Sequence, residues 1–342
     1  MGLFRIISAP LAALVLAAAP VPSLRPTATA ASAADNASAR LQAEYARLAQ
    51  ATDGGVGVAV RSLDKGRVLG LNADQPFPMA SAFKVAVAGT ILSMADAGAL
   101  RLDDMLSADP ARYVESDGIA DLAPHPGVML SVHNLLDLML TRSDNNATDI
   151  LIARAGGPAV VDAWLRKAHV GAMRVDSNTA DLLYRAMGIR PGPGTYRENV
   201  AAAKLLDPMI KLRDRQDVPN DAFADDPRDS ASPRAMLDLL SFIRAGKLLS
   251  KESTALLLDI MAHCRTGEGR LKAHLPPGTP IAHKTGSLNG TGNDVGIVTL
   301  PDGRAFAVVV FIKKDRMGRE VRDRLIADIA RATYDYYLLI DG

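Results

Sequence analysis

Cysteine is nearly absent from the chain: Cys264 is the only one in 342 residues. That excludes an intramolecular disulfide and a metal site built on thiolates, so the fold must stand on core packing. Net charge is nearly absent as well. Lys and Arg total 39 against 38 Asp and Glu, and the basic residues are scattered rather than gathered in a run, which leaves no electrostatic footprint for nucleic acid. The six histidines, at positions 125, 133, 169, 263, 274 and 283, lack the short paired spacing that sets two imidazoles on one metal. We therefore expect neither a metal nor another cofactor. Beyond Ala19 no apolar run is long enough to span a bilayer. The chain also contains no G-x-S-x-G elbow and no Walker A loop.

What is present is the composition of an ordinary soluble globule, 48% hydrophobic and 23% charged. The N-terminus stands apart. Met1 to Arg5 is a short basic start, Ile6 to Ala19 is almost wholly apolar, and Pro20 to Ala34 is rich in Ala, Ser, Thr and Pro, with small-x-small pairs at Ala28/Ala30 and Ala31/Ala33. This pattern predicts a secretory signal peptide over residues 1–33, and a mature catalytic domain over 34–342 that is periplasmic or secreted. Because the apolar run falls short of the roughly 20 residues of a membrane span, no stable insertion is expected after cleavage. The mature protein is expected to be a monomer.

Along that domain, Ala37 to Thr52 has apolar residues at helical spacing, and Gly55 to Ser62 alternates before a turn at Asp64, Lys65 and Gly66 and a return at Arg67 to Leu71, the pattern of a β-hairpin. Ala80 to Leu100 is Ala-rich and apolar on nearly every side, as a buried helix is. Helical pattern broken by Pro and Gly loops follows to about residue 275. Strand character resumes at Pro280 to Lys284, Asp294 to Leu300 and Arg304 to Ile312, and Asp315 to Leu339 closes the chain as a long amphipathic helix. The expected fold is α/β, a three-layer α-β-α sandwich. Its five-stranded antiparallel sheet is built from both chain ends, residues 37–80 and 276–342, and an all-helical lobe spans 81–275.

Three short motifs carry chemistry. In Ser81-Ala82-Phe83-Lys84, positions i and i+3 share a helix face, so an amine can reach a hydroxyl. A buried amine of lowered pKa can take the serine proton, and N–H groups at the helix start can hold an oxyanion. Taken alone, such a pair is more often a capping serine and a solvated lysine. Ser143-Asp144-Asn145 falls between helical stretches and can relay a proton and hold a carbonyl, though it also reads as a capped turn. Lys284-Thr285-Gly286, followed by Ser287, puts a cation and hydroxyls on a strand, which suits an extended acyl substrate bearing a carboxylate.

Together and in this order, the three motifs resemble the signature set S-x-x-K, S-D-N and K-T-G of the class A β-lactamases and related penicillin-binding proteins. The resemblance runs from about residue 40 to the end. It implies that Ser81 is acylated, Lys84 assists its deprotonation and Ser143 passes a proton to the departing nitrogen. It implies further that Asn145 holds a substrate amide, that Lys284, Thr285 and Gly286 form the carboxylate-binding strand, and that the N–H groups of Ser81 and Ser287 make the oxyanion hole. Arg270 matches a carboxylate-binding arginine of some members. Arg228, Asp229 and Pro233 resemble the stretch that closes the family's Ω-loop. Counting back from Asp229, Gln216 falls where the family carries the glutamate that activates the deacylating water, and Asn220 where an asparagine follows it. Glu198, Asp217 and Asp221 are alternative carboxylates. The asparagine that often braces the loop appears as Asp149. The implied function is hydrolysis of β-lactam antibiotics through an acyl-enzyme at Ser81. Two alternatives are a serine hydrolase acting on cell-wall-like acyl substrates, and a covalent β-lactam receptor with negligible turnover because Gln216 replaces the general base.

Overall fold

The computed structural model describes residues 1–2, 28–64, 66–114 and 118–340. The expected signal peptide lies mostly outside the described residues. In chain order the elements are α1 (Ala28–Leu48), β1 (Gly55–Ser62), β2 (Leu69–Leu71), β3 (Phe77–Pro78), α2 (Lys84–Asp96), β4 (Met105–Ala108), α3 (Ile119–Leu122), β5 (Val128–Ser131), α4 (Val132–Thr141) and α5 (Asn145–Ala155). They continue with α6 (Pro158–Lys167), α7 (Thr179–Met187), α8 (Tyr196–Leu206), α9 (Pro208–Arg215), α10 (Asp221–Ala224), β6 (Ser230–Ala231), α11 (Pro233–Arg244), α12 (Lys251–Ala262), β7 (Ile281–Leu288), β8 (Thr291–Thr299), β9 (Ala305–Lys313) and α13 (Arg319–Ile340).

The main sheet has the order β2-β1-β9-β8-β7 and is antiparallel throughout, so the first and last parts of the chain meet at the β1–β9 seam, with Val58 opposite Val310. Period-2 alternation decides the two faces. Val56, Val58, Val60, Phe306, Val308, Val310 and Ile312 pack under α1 and α13 against Leu41, Tyr45, Leu325, Ile326, Ile329 and Tyr337. The alternate residues Ala59, Ala305, Ala307, Val309 and Phe311 join the second core with Met236, Leu237 and Leu240 of α11 and with the α2 side chains. α2 is buried from Lys84 to Leu92, as its all-round apolar pattern requires.

The segments between the hairpin and β7 depart from the expected helical lobe in three places. α11 and α12 lie against the sheet, so the second layer of the sandwich begins before residue 275. Two short ribbons, β3 with β6 and β4 with β5, interrupt the helices. α8 and α9 are separate helices, because Pro208 has no N–H to continue the ladder and the Asp207 carboxylate instead accepts from Met209 N at 2.9 Å.

Candidate active site

Ser81 sits in a 3-10 turn, Ala80–Phe83, that leads into α2. The turn is held from outside: Asn293 of β8 donates through Nδ2 to the carbonyls of Pro78 and Met79, both at 2.9 Å, while its Oδ1 accepts from Ile312 N at 3.2 Å. Ala80 is forced to φ +45°, a left-handed conformation costly for a residue with a Cβ. β7 runs directly past this turn. A Cβ on Gly286 would stand 2.5 Å from Met79 O and 3.1 Å from Ala82 N, so only glycine lets the strand bring Ser287 beside Ser81.

The S-D-N segment is the loop between α4 and α5. Asp144 caps α5 by accepting from Ala147 N at 2.7 Å and also accepts from Ile119 N at 2.7 Å, which anchors the loop at full burial. Ser143 adopts φ +61°. Its carbonyl then lies 2.6 Å from Lys84 Nζ, which also reaches Asn145 Oδ1 at 2.8 Å and Ser143 Oγ at 3.3 Å. Lys284 Nζ approaches the same hydroxyl from the other side, donating to Ser143 Oγ at 2.9 Å and to Thr285 O at 2.8 Å. Ser143 Oγ thus bridges two buried amines.

Both lysines are wholly buried. Burial, reinforced by the charge of Lys284, holds the Lys84 amine well below the usual lysine range, against the pull of Asp144 and Asp149. Burial brings Lys284 down to about 8, with Arg270 adding to the shift and Cys264 and Asp294 opposing it. A neutral amine is the form that can accept a proton from Ser81.

These residues open on a cleft of about 330 Å³ lined by Ser81, Arg142, Ser143, Asn145, Thr266, Gly267, Arg270, Thr285, Ser287 and Arg319. Its polar lining is cationic and hydroxylic. Arg270 is buried beneath β7: Nε meets Asp323 at 2.6 Å, Nη1 donates to Gly286 O at 3.0 Å and Asn293 O at 2.9 Å, and Nη2 donates to Ser287 Oγ at 2.7 Å. It braces the strand and orients Ser287 as well as facing the cleft. Arg142, Thr266 and Arg319 were not anticipated from sequence. Nothing local marks them, since their place in the cleft depends on how α4, the α12–β7 connection and α13 converge.

Two expected site residues are placed elsewhere. Gln216 is the C-cap of α9, exposed, with its backbone N–H bonded to Leu212 O. Asn220 caps α10, accepting from Phe223 N at 3.2 Å, and donates to the carbonyls of Arg185 and Ala186. Neither lines the cleft. The alternative carboxylates are equally committed: Glu198 caps α8, Asp217 pairs with Arg322, and Asp221 pairs with Arg316 at 2.7 Å. The cause is a misplaced count. Asp229 does close a loop, accepting from Asp176 N at 2.8 Å and Ser177 N at 3.0 Å and pairing with Arg185. Arg228 instead pairs with Asp226 at the surface. α8 and α9 lie inside that loop, so a count back from Asp229 ends at α9 and stops short of α7. The start of α7 is held from α5, where Asp149 accepts from Thr179 N at 2.6 Å and Ala180 N at 3.2 Å. Burial raises the Asp149 carboxyl against those bonds and the charge of Lys84.

Among the described residues no group of His, Cys, Asp and Glu is placed to hold a metal ion, and no helix is long and apolar enough to cross a membrane. Residues 40–337 match the model of the β-lactamase enzyme family. The chain is 29% identical over 293 residues to β-lactamase VEB-1 of Pseudomonas aeruginosa, an alignment covering 83% of this chain and 85% of that protein. Its fold is similar to the crystal structure of a β-lactamase from Chitinophaga pinensis, with TM-score 0.72 and 32% identity over 86% of this chain and 98% of that one. It is similar also to the TLA-1 extended-spectrum β-lactamase, with TM-score 0.74 and 26% identity over 88% and 99% of the two chains.

Proposed function

The chain belongs to the β-lactamase enzyme family, and from that premise we propose a class A β-lactamase that hydrolyses β-lactam antibiotics through an acyl-enzyme at Ser81. The observation that carries the assignment of roles is the Ser143 hydroxyl held between the Lys84 and Lys284 amines at the wall of the Ser81 cleft.

The chemistry runs as follows. The substrate carboxylate lies against Lys284, Thr285 and Ser287, and Asn145 takes the substrate amide. Neutral Lys84 removes the Ser81 proton as Oγ attacks the lactam carbonyl, whose developing charge is met by the N–H groups of Ser81 and Ser287. The proton passes from Lys84 through Ser143 Oγ to the departing ring nitrogen. In the second half the Lys84 amine, again neutral, activates the water that releases the acid. This assigns deacylation to Lys84, since Gln216 and the carboxylates counted from Asp229 stand outside the cleft. The receptor reading, which rested on Gln216 as a lost base, has no such residue to rest on. A leader over residues 1–33 would deliver the enzyme to the periplasm or medium.

The test is intact-protein mass spectrometry after mixing with a penicillin or a chromogenic cephalosporin. A transient adduct with accumulating product is expected, and none with Ser81→Ala. Undiminished labelling of Ser81→Ala overturns the nucleophile assignment.

A further inference from the structure

The cleft carries more positive charge than a substrate with one carboxylate would use. Among the described residues three arginines line it and no carboxylate does. Arg270 is fully committed, to Asp323, to two strand carbonyls and to Ser287 Oγ. The other two are not. Arg142 is exposed, and beyond its backbone N–H, which donates to Leu138 O at 3.2 Å, it has no partner among the described residues. Arg319 is largely exposed and stands 3.6 Å from one oxygen of Asp323, whose other oxygen Arg270 holds at 2.6 Å. One shared carboxylate therefore stands against three guanidiniums.

Where the two uncommitted cations lie follows from their neighbours. Arg142 directly precedes Ser143, whose Oγ accepts from Lys284 Nζ at 2.9 Å. Arg319 shares Asp323 with Arg270, and Arg270 reaches Ser287 Oγ at 2.7 Å. Both thus flank the end of the cleft assigned to the substrate carboxylate. In a bicyclic β-lactam the acylamino group and that carboxylate stand at opposite ends, so a substituent on the ring atom beside the carboxylate projects toward Arg142 and Arg319. A neutral substituent leaves both guanidiniums to water. An anionic one meets two cations in a concave site, where low-dielectric walls concentrate the field.

We infer that Arg142 and Arg319 form a second anion subsite beside the carboxylate-binding strand, which selects β-lactams bearing a further acidic group next to the ring carboxylate. The inference rests on the β-lactamase reading for its substrate class and pose. The two arginines set specificity and take no part in the proton path, which Ser81, Lys84 and Ser143 supply. Because exposed charges attract through water, the selectivity falls with added salt.

Cefamandole and cefonicid provide the test. They share their acylamino side chain and the tetrazolylthiomethyl group beside the carboxylate, which ends in a methyl in the first and in a sulfonate-bearing methyl in the second. Binding of each is measured by isothermal titration calorimetry in the Ser81→Ala background, which removes turnover. Cefonicid is expected to bind about tenfold more tightly at low ionic strength, the combined effect of two partly exposed charge contacts. The ratio should fall to about one when Arg142→Gln and Arg319→Gln are added together, and should shrink at about 1 M salt. Equal binding of the two compounds, a preference that survives both substitutions or is indifferent to salt, or equal weakening of both ligands by the substitutions would each overturn the inference. Hydrolysis of cefamandole by the enzyme with Ser81 intact reports separately on the proposed function. Turnover without the sulfonate preference sinks only the subsite, the preference without turnover sinks only the hydrolase reading, and the absence of both sinks both.

Discussion

Gly286→Ala tests whether the site depends on the close passage of β7 against the Ser81 turn. The added Cβ would stand 2.5 Å from Met79 O, a backbone atom already fixed by Asn293 and so unable to rotate away. An ordinary C···O separation is about 3.3 Å, so strand or turn must move by about 0.8 Å. Gly286 has no positive φ, which leaves the alanine backbone unstrained and the displacement as the main perturbation. Moving an oxyanion donor relative to the nucleophile by close to 1 Å costs on the order of 10²-fold in rate, or about 2.7 kcal/mol of barrier. The overpacked contact should also cost about 1–3 kcal/mol of stability. Stopped-flow acylation by a chromogenic cephalosporin, with thermal unfolding on the same sample, measures both. A folded variant that acylates at the wild-type rate would refute the claim that β7 and the Ser81 turn form one rigid unit.

Lys84→Ala should lower acylation and deacylation by about 10²- to 10⁴-fold, the usual contribution of a positioned base, as seen in single-turnover kinetics; loss of acylation alone would move the deacylating base elsewhere. Because Lys284 titrates at about 8, its positive charge is present below that pH and lost above it, so KM for a carboxylate-bearing substrate should rise as pH passes 8; a flat KM profile would remove Lys284 from carboxylate binding. Gln216→Glu should leave the acyl-enzyme lifetime unchanged, since the side chain is exposed at the end of α9, and a shortened lifetime would restore the sequence-based placement. Asp229→Asn removes one of the two carboxylates that hold Arg185, Asp226 remaining at 3.0 Å, and should cost about 1.5–3 kcal/mol in denaturant unfolding, with the Ω-loop opening first in hydrogen exchange.

Much of this was legible because local chemistry and tertiary role coincide. β1 alternates Gly or Ala with Val, and β9 reads as a nearly unbroken apolar run because both of its faces are buried, one against each core. Ser81, Lys84, Ser143 and Lys284 stand out as three spaced motifs, and in the fold Ser81 and Ser143 line one cleft while both lysine amines lie buried against Ser143 Oγ. That coincidence fails in the loop that Asp229 closes. A linear count from Asp229 leads to Gln216, but α8 and α9 lie between the contacts of Asp149 and Asp229, and spacing along the chain does not register where such a segment leaves the path. Thr266 and Arg319 carry no local signal for the same kind of reason: they enter the cleft only because the α12–β7 connection and the start of α13 meet there.

Read along the chain alone, the residues already dictate the strands of the sheet, the all-round apolar helix behind Ser81, and the order of a serine, two lysines and the Lys284-Thr285-Gly286 strand, because periodicity and motif spacing are properties of neighbours along the chain. Packing of the layers is what makes two buried amines share one serine hydroxyl, sets Asp149 rather than anything near Gln216 at the start of α7, and places Cys264 and His283 behind the cleft wall. Those relations join residues distant in sequence, and they follow from burial and the direction of hydrogen bonds, which exist only once the layers have packed.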